Sequence, residues 1–143
     1  GLIGMWKVFG ELVSAGWLPG PLPRMFSVQA EGCAPVVRAF ANGADACQPW
    51  ADPVTSASGL RVLGPLGDRL MLAALRESGG GAIAVSEAAL SAAASGATAR
   101  TGIDFSPEGG AALAAAERLR QDGVIRPEDR VVVFNTGAGW LYR

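Results

Sequence analysis

The chain has 143 residues, half of them hydrophobic and only 17% charged, with a formal net charge of −1; this fits one domain able to bury most of its apolar surface. It shows no basic stripe for nucleic acid and no apolar run near the roughly 18–20 residues that span a bilayer. With no histidine, Ser-His-Asp and Cys-His catalysis and most zinc sites are excluded.

Leu2, Met5, Trp6, Phe9, Leu12 and Val13 recur at helical spacing and predict a helix running to Gly16. No Ser, Thr, Asp or Asn caps it, so the chain reads as cut from something longer. No basic n-region, apolar h-region and cleavage site open the sequence, and a soluble cytoplasmic protein is the expectation. Pro19, Gly20, Pro21 and Pro23 predict a stiff turn, after which residues 25–30 predict a strand and residues 33–42 a helix stopped at Gly43. Residues 44–60 lack periodicity, and a loop of that length in a compact domain is usually functional or mobile. Next comes a helix with Asp68 as N-cap and Leu70, Met71, Ala74 and Leu75 as its buried face, ended by Gly79, Gly80 and Gly81.

Residues 82–85 predict a short buried strand, and Ser86 caps an alanine-rich helix reaching Thr101 despite Gly96. Ser106, Pro107 and Glu108 form a strong start signal: a cap, a proline at the first helical position and an acid in the first turn. That helix ends at Asp122 and Gly123. Val131, Val132, Val133 and Phe134 then predict a buried parallel strand that breaks into Asn135, Thr136, Gly137, Ala138 and Gly139. Glycine there allows φ > 0 and close approach of backbone to a ligand. Ligands of open α/β sheets sit beyond the carboxyl ends of strands, so this bend delivers a hydroxyl and an amide to the functional edge. Strands alternating with helices predict an α/β fold, a three-layer α/β/α arrangement with a mainly parallel sheet. Cys33 and Cys47 form no CxxC motif and are expected as free thiols.

Five motifs occur in an order that resembles the threonine synthases. They are Gly1-Leu2-Ile3-Gly4-Met5-Trp6-Lys7, Val28-Gln29-Ala30-Glu31-Gly32-Cys33-Ala34-Pro35, Thr55-Ser56-Ala57-Ser58-Gly59-Leu60-Arg61, Ser106-Pro107-Glu108-Gly109-Gly110-Ala111-Ala112-Leu113, and the terminal Asn135-to-Gly139 run. The resemblance implies a fold-type II enzyme with the tryptophan synthase β-subunit-like fold and pyridoxal 5′-phosphate as cofactor. It implies conversion of O-phosphohomoserine and water to threonine and phosphate, with the cofactor as electron sink. It also implies a small amino-acid phosphate as substrate, no nucleic-acid or membrane partner, and a homodimer, since family members are often dimers. Thr136 matches the position whose hydroxyl meets the pyridine nitrogen, with Asn135 and Gly137 as its cofactor-binding neighbours.

Softer candidates are Glu108, which helix electrostatics also explains, and Ser56 and Ser58, which loop solvation also explains. Gly1 and Gly4 resemble the tail of a glycine turn, although GxxG is common in helix packing. The family's Schiff-base lysine, the asparagine beside the cofactor's 3′-oxygen and the phosphate loop have no counterpart here. Lys7 is the only lysine, and it falls opposite the apolar stripe as a solvated charge. The catalytic set is therefore empty, no metal site is expected, and residues 1–143 read as the C-terminal part of the cofactor-binding domain, inactive alone. Two alternatives stay open: another fold-type II lyase such as a threonine dehydratase, and a non-catalytic α/β module that binds a partner chain. A nucleotide-binding Rossmann unit is disfavoured, because no strand–GxGxxG–helix unit is present.

Overall fold

The computed structural model describes residues 1–142. Two parallel strands, β1 (Phe26–Ala30) and β2 (Gly81–Val85), pair from Phe26 against Gly81 to Ala30 against Val85. One face of this ribbon carries α1 (Leu2–Ser14), α2 (Pro35–Ala41) and α3 (Asp68–Glu77); the other carries α4 (Glu87–Thr101) and α5 (Pro107–Gln121). The expected three-layer α/β/α order is present, with a small parallel sheet at its centre.

Strand alternation divides the core in two. Ala30 and Val85, with Val28 and Ile83, meet Leu90, Ala111, Ala114 and Ala115 of α4 and α5. On the opposite side Met25 and Ala82 meet Val36, Ala39, Leu72 and Leu75, which Leu2, Met5, Trp6 and Phe9 of α1 cover. Gln29 also faces this side. Its Oε1 accepts from Val36 N at 2.8 Å and Val37 N at 3.1 Å, filling the cap role that Ala34 lacks a side chain to fill.

The crossing of α4 on α5 depends on absent side chains. A Cβ on Gly110 would strike the Leu90 carbonyl and stand 2.7 Å from Ala94 Cβ. The alanine-rich sequence of α4 therefore permits close approach as well as favouring the helix. Ser86 and Ser106 cap the two helices as expected, accepting from Ala89 N at 3.2 Å and Gly109 N at 3.1 Å.

Three expectations are corrected. Residues 131–134 are extended but form no strand: among the described residues no backbone hydrogen bond joins them to the sheet. Val131, Val132 and Phe134 are exposed, Val132 at 77%. β-Branched composition favours extended backbone, yet a strand exists only beside a hydrogen-bonding neighbour, and the described residues supply none. In α3 the cap residue is Gly67, and Asp68 is the first helical residue. Its carboxylate accepts from Cys47 N at 2.6 Å and Arg69 N at 2.8 Å, which holds it below the usual carboxylate range. Leu72 replaces Leu70 on the buried face, because the two lie about 200° apart around a helix. Neither cysteine is in a disulfide, as expected.

Candidate functional site

Both strands end at the same edge of the ribbon, and the segments beyond them interlock. Val54 N donates to Gly32 O at 3.1 Å just past β1, where a side chain on Gly32 would strike the Val54 carbonyl. The following loop is then held by two carboxylates from the first turns of neighbouring helices. Glu87 Oε2 accepts from Ser56 N at 3.0 Å and Ser56 Oγ at 2.7 Å, and Glu108 Oε1 accepts from Gly59 N at 2.8 Å. Helix N-termini favour such acids, and here the acids also tie loop 55–61 across the carboxyl edge. Burial pushes the Glu87 carboxyl up, but the Thr55 and Ser56 hydroxyls and the Ser56 amide outweigh it and leave it below the usual range.

The terminal segment closes against α5. Asn135 Oδ1 accepts from Ser106 N at 3.2 Å and from Ser106 Oγ at 3.4 Å. Gly137 follows so closely that a Cβ there would lie 3.4 Å from Ser106 Cβ and 3.8 Å from the Tyr142 hydroxyl. Thr136, between them, is exposed. Ala138 bridges Phe105, and Trp140 N donates to Asp104 Oδ2 at 2.8 Å, so the final turn (Gly139–Tyr142) folds back onto the α4–α5 connection. Tyr142 meets Glu108, whose hydrogen bond raises the phenol above its ordinary value; burial acts in the same direction and the Ser58 hydroxyl against it. Glu108 Oε2 is buried and has no hydrogen bond of good geometry among the described residues.

The structure thus gathers Asn135, Gly137, Glu108, Ser56 and Ser58 at one edge, with Thr136 at its surface. It does not bring Gly1, Gly4 or Lys7 there. Gly1 and Gly4 have open space around them, and Lys7 pairs with Glu11 at 2.7 Å on the outer face of α1. The glycine expectation needs correction too. Neither Gly137 nor Gly139 has a positive φ, and the close approach at Gly139 is to its own chain: a Cβ there would lie 2.6 Å from Asp104 Oδ1 and 2.7 Å from Phe105 O. Small size there serves chain packing. Sequence reasoning missed Glu87, Ser106 as a two-way anchor, and Tyr142; the acid one residue after the Ser86 cap was the available signal for the first.

Comparison with known proteins extends this geometry. The model of a family described as pyridoxal-phosphate dependent enzyme matches residues 1–137. A threonine synthase of Methanosarcina acetivorans is 35% identical over 136 residues, covering 95% of this chain and 33% of that protein. A threonine synthase of Methanocaldococcus jannaschii is 32% identical over 135 residues, 94% of this chain and 33% of that protein. The chain spans about a third of the length of the curated relatives it matches. Among solved structures, the T.th. threonine deaminase superposes with a TM-score of 0.57 at 25% identity, covering 85% of this chain and 51% of that one. Two parallel strands flanked by helices, with a polar edge beyond their carboxyl ends, are what this chain brings to the likeness. The chain belongs to the pyridoxal-phosphate dependent enzyme family.

Proposed function

We propose that this member of the family is the C-terminal part of the cofactor-binding domain of a threonine synthase, which converts O-phosphohomoserine and water to threonine and phosphate. The observation that carries the reading is the delivery of Asn135-Thr136-Gly137 to the carboxyl edge, clamped to the start of α5 through Ser106. Its resemblance in sequence to two threonine synthases supports the reaction.

The residues present fit one side of a pyridine ring. Asn135 directs its oxygen to Ser106, which fixes the backbone of the following residue. Thr136 is then exposed at the rim, and its hydroxyl is available to a heteroaromatic nitrogen. A neutral hydroxyl hydrogen-bonds that nitrogen without holding a proton on it as a carboxylate would. When bound, the cofactor supplies an electron sink for the carbanions of elimination and replacement chemistry. Thr136 would temper that sink. Asn135 and Gly137 would position it, the first through its Ser106 contacts and the second by leaving room beside Ser106 and Tyr142.

The covalent anchor lies outside these residues in this reading, because Lys7 is a solvent-facing partner of Glu11. Among the described residues no helix is long and apolar enough to cross a membrane, and we assign the enzyme to the cytoplasm, as a homodimer. In the cofactor-loaded enzyme, Thr136→Val is expected to abolish or greatly weaken cofactor binding, read from the cofactor's absorbance. Unchanged absorbance refutes the role.

A further inference from the structure

The segment between α5 and Asn135 is pinned at both ends and bare in the middle. At the amino end of β1, Arg24 donates to Val124 O at 2.9 Å and pairs with Asp129 at 3.3 Å. At the carboxyl edge Asn135 accepts from Ser106. Residues 129–135 therefore run from the amino edge of the sheet to its carboxyl edge, in the direction of β1 and β2. Six extended residues cover about 20 Å, slightly more than a five-residue strand. Val131, Val132 and Phe134 are nonetheless exposed, and no backbone hydrogen bond joins 131–134 to any described residue.

A strand edge meant to stay free carries lysine, proline, a bulge or very short length. Residues 131–134 carry no charge and no proline. The sheet beside them has two strands, fewer than independent stability requires. The relatives are about three times as long as the part this chain matches.

We propose that residues 131–134 are an open strand position, filled by a β-strand from the part of the polypeptide outside these 143 residues, and that this pairing fixes Thr136 at the rim. The proposal rests on the assignment of Thr136 to the cofactor. Strand addition satisfies the row of free amides and carbonyls and covers the exposed valines in one step.

Amide hydrogen exchange on the complete, cofactor-loaded polypeptide tests it. Amides in 131–134 that bond the added strand should exchange at least about 100-fold more slowly than in an unstructured peptide of the same sequence. Neighbouring amides point to opposite sides, so Val132→Pro and Val133→Pro sample both; at least one should lower cofactor occupancy several-fold. Val132→Thr keeps the amide and the β-branched shape, and should leave occupancy unchanged if either proline variant merely misfolds. Exchange at the unstructured rate overturns the proposal, and so does protection that rises with protein concentration, because that identifies a second copy as the occupant. Protection of 131–134 together with a silent Thr136→Val would sink the cofactor role and leave the strand pairing standing.

Discussion

Gly110 offers a quantitative test of how α4 and α5 hold the site. Replacing it by alanine has two favourable effects: about 0.5–1 kcal/mol of helix propensity and about 0.8 kcal/mol for burying one carbon. Against them stands the position of that carbon, which would strike the Leu90 carbonyl and lie 2.7 Å from Ala94 Cβ and 3.1 Å from Ala94 N. These atoms belong to a helical backbone that cannot swing aside as a side chain tip can. Overpacking costs typically about 1–3 kcal/mol and more where the backbone must move, so we take a cost beyond about 3 kcal/mol here. Gly110→Ala should therefore lose at least about 1 kcal/mol, close to a fivefold drop in the folding constant. Gly96→Ala on α4 is the matched control, because its nearest new contact is the flexible Arg100 Nη1 at 3.3 Å. That variant should gain about 0.5–1 kcal/mol. Equilibrium urea unfolding of both, with unchanged denaturant slope, measures the difference. A Gly110→Ala midpoint at or above that of the parent chain refutes the claim that this crossing is closed by a missing methyl group.

Tyr142 is the only tyrosine, so phenolate absorbance reports it alone. It should titrate above the ordinary value of 10.0, and Glu108→Gln should bring it back toward that value. Because the folded pKa is the higher one, the contact's contribution to stability is complete below the unfolded value and fades as pH rises through the folded one. Titration at the ordinary value in the native chain would refute the contact. Ser106→Ala removes the cap on Gly109 N and one donor to Asn135 from a fully buried position. It should cost about 1–2 kcal/mol in urea unfolding and speed exchange of the Gly109 amide, and a cost near zero would count against the anchor.

Local signals were legible in the sequence wherever one residue decides the outcome. Ser86 and Ser106 cap helices because a hydroxyl three residues before a free amide meets it whatever the rest of the chain does. Residues 82–85 form a strand because apolar alternation fits a half-covered ribbon. The α3 face was misread because its start lies one residue away from the one the acid suggested, and a helix turned by that amount exchanges Leu70 for Leu72. The two carboxylate clamps were not legible, since Ser56 with Glu87 and Gly59 with Glu108 are joined only once the helices sit side by side.

Residues 131–134 mark the limit of this kind of reading. Their composition states how the backbone will lie, and it lies extended, but composition cannot supply the neighbour that turns extended chain into sheet. The same distinction governs Thr136. Its place at the rim follows from contacts within the chain, through Asn135 to Ser106 and through Gly137 to Ser106 and Tyr142. Its rigidity depends on the four residues before Asn135, which make no backbone hydrogen bond to any described residue. A hydroxyl on a segment held at one end and free along the other can reach a ring nitrogen, but ordering that segment on binding costs conformational entropy. Pairing of 131–134 would order the segment before the cofactor arrives, so cofactor affinity and strand protection should rise and fall together across variants of this segment.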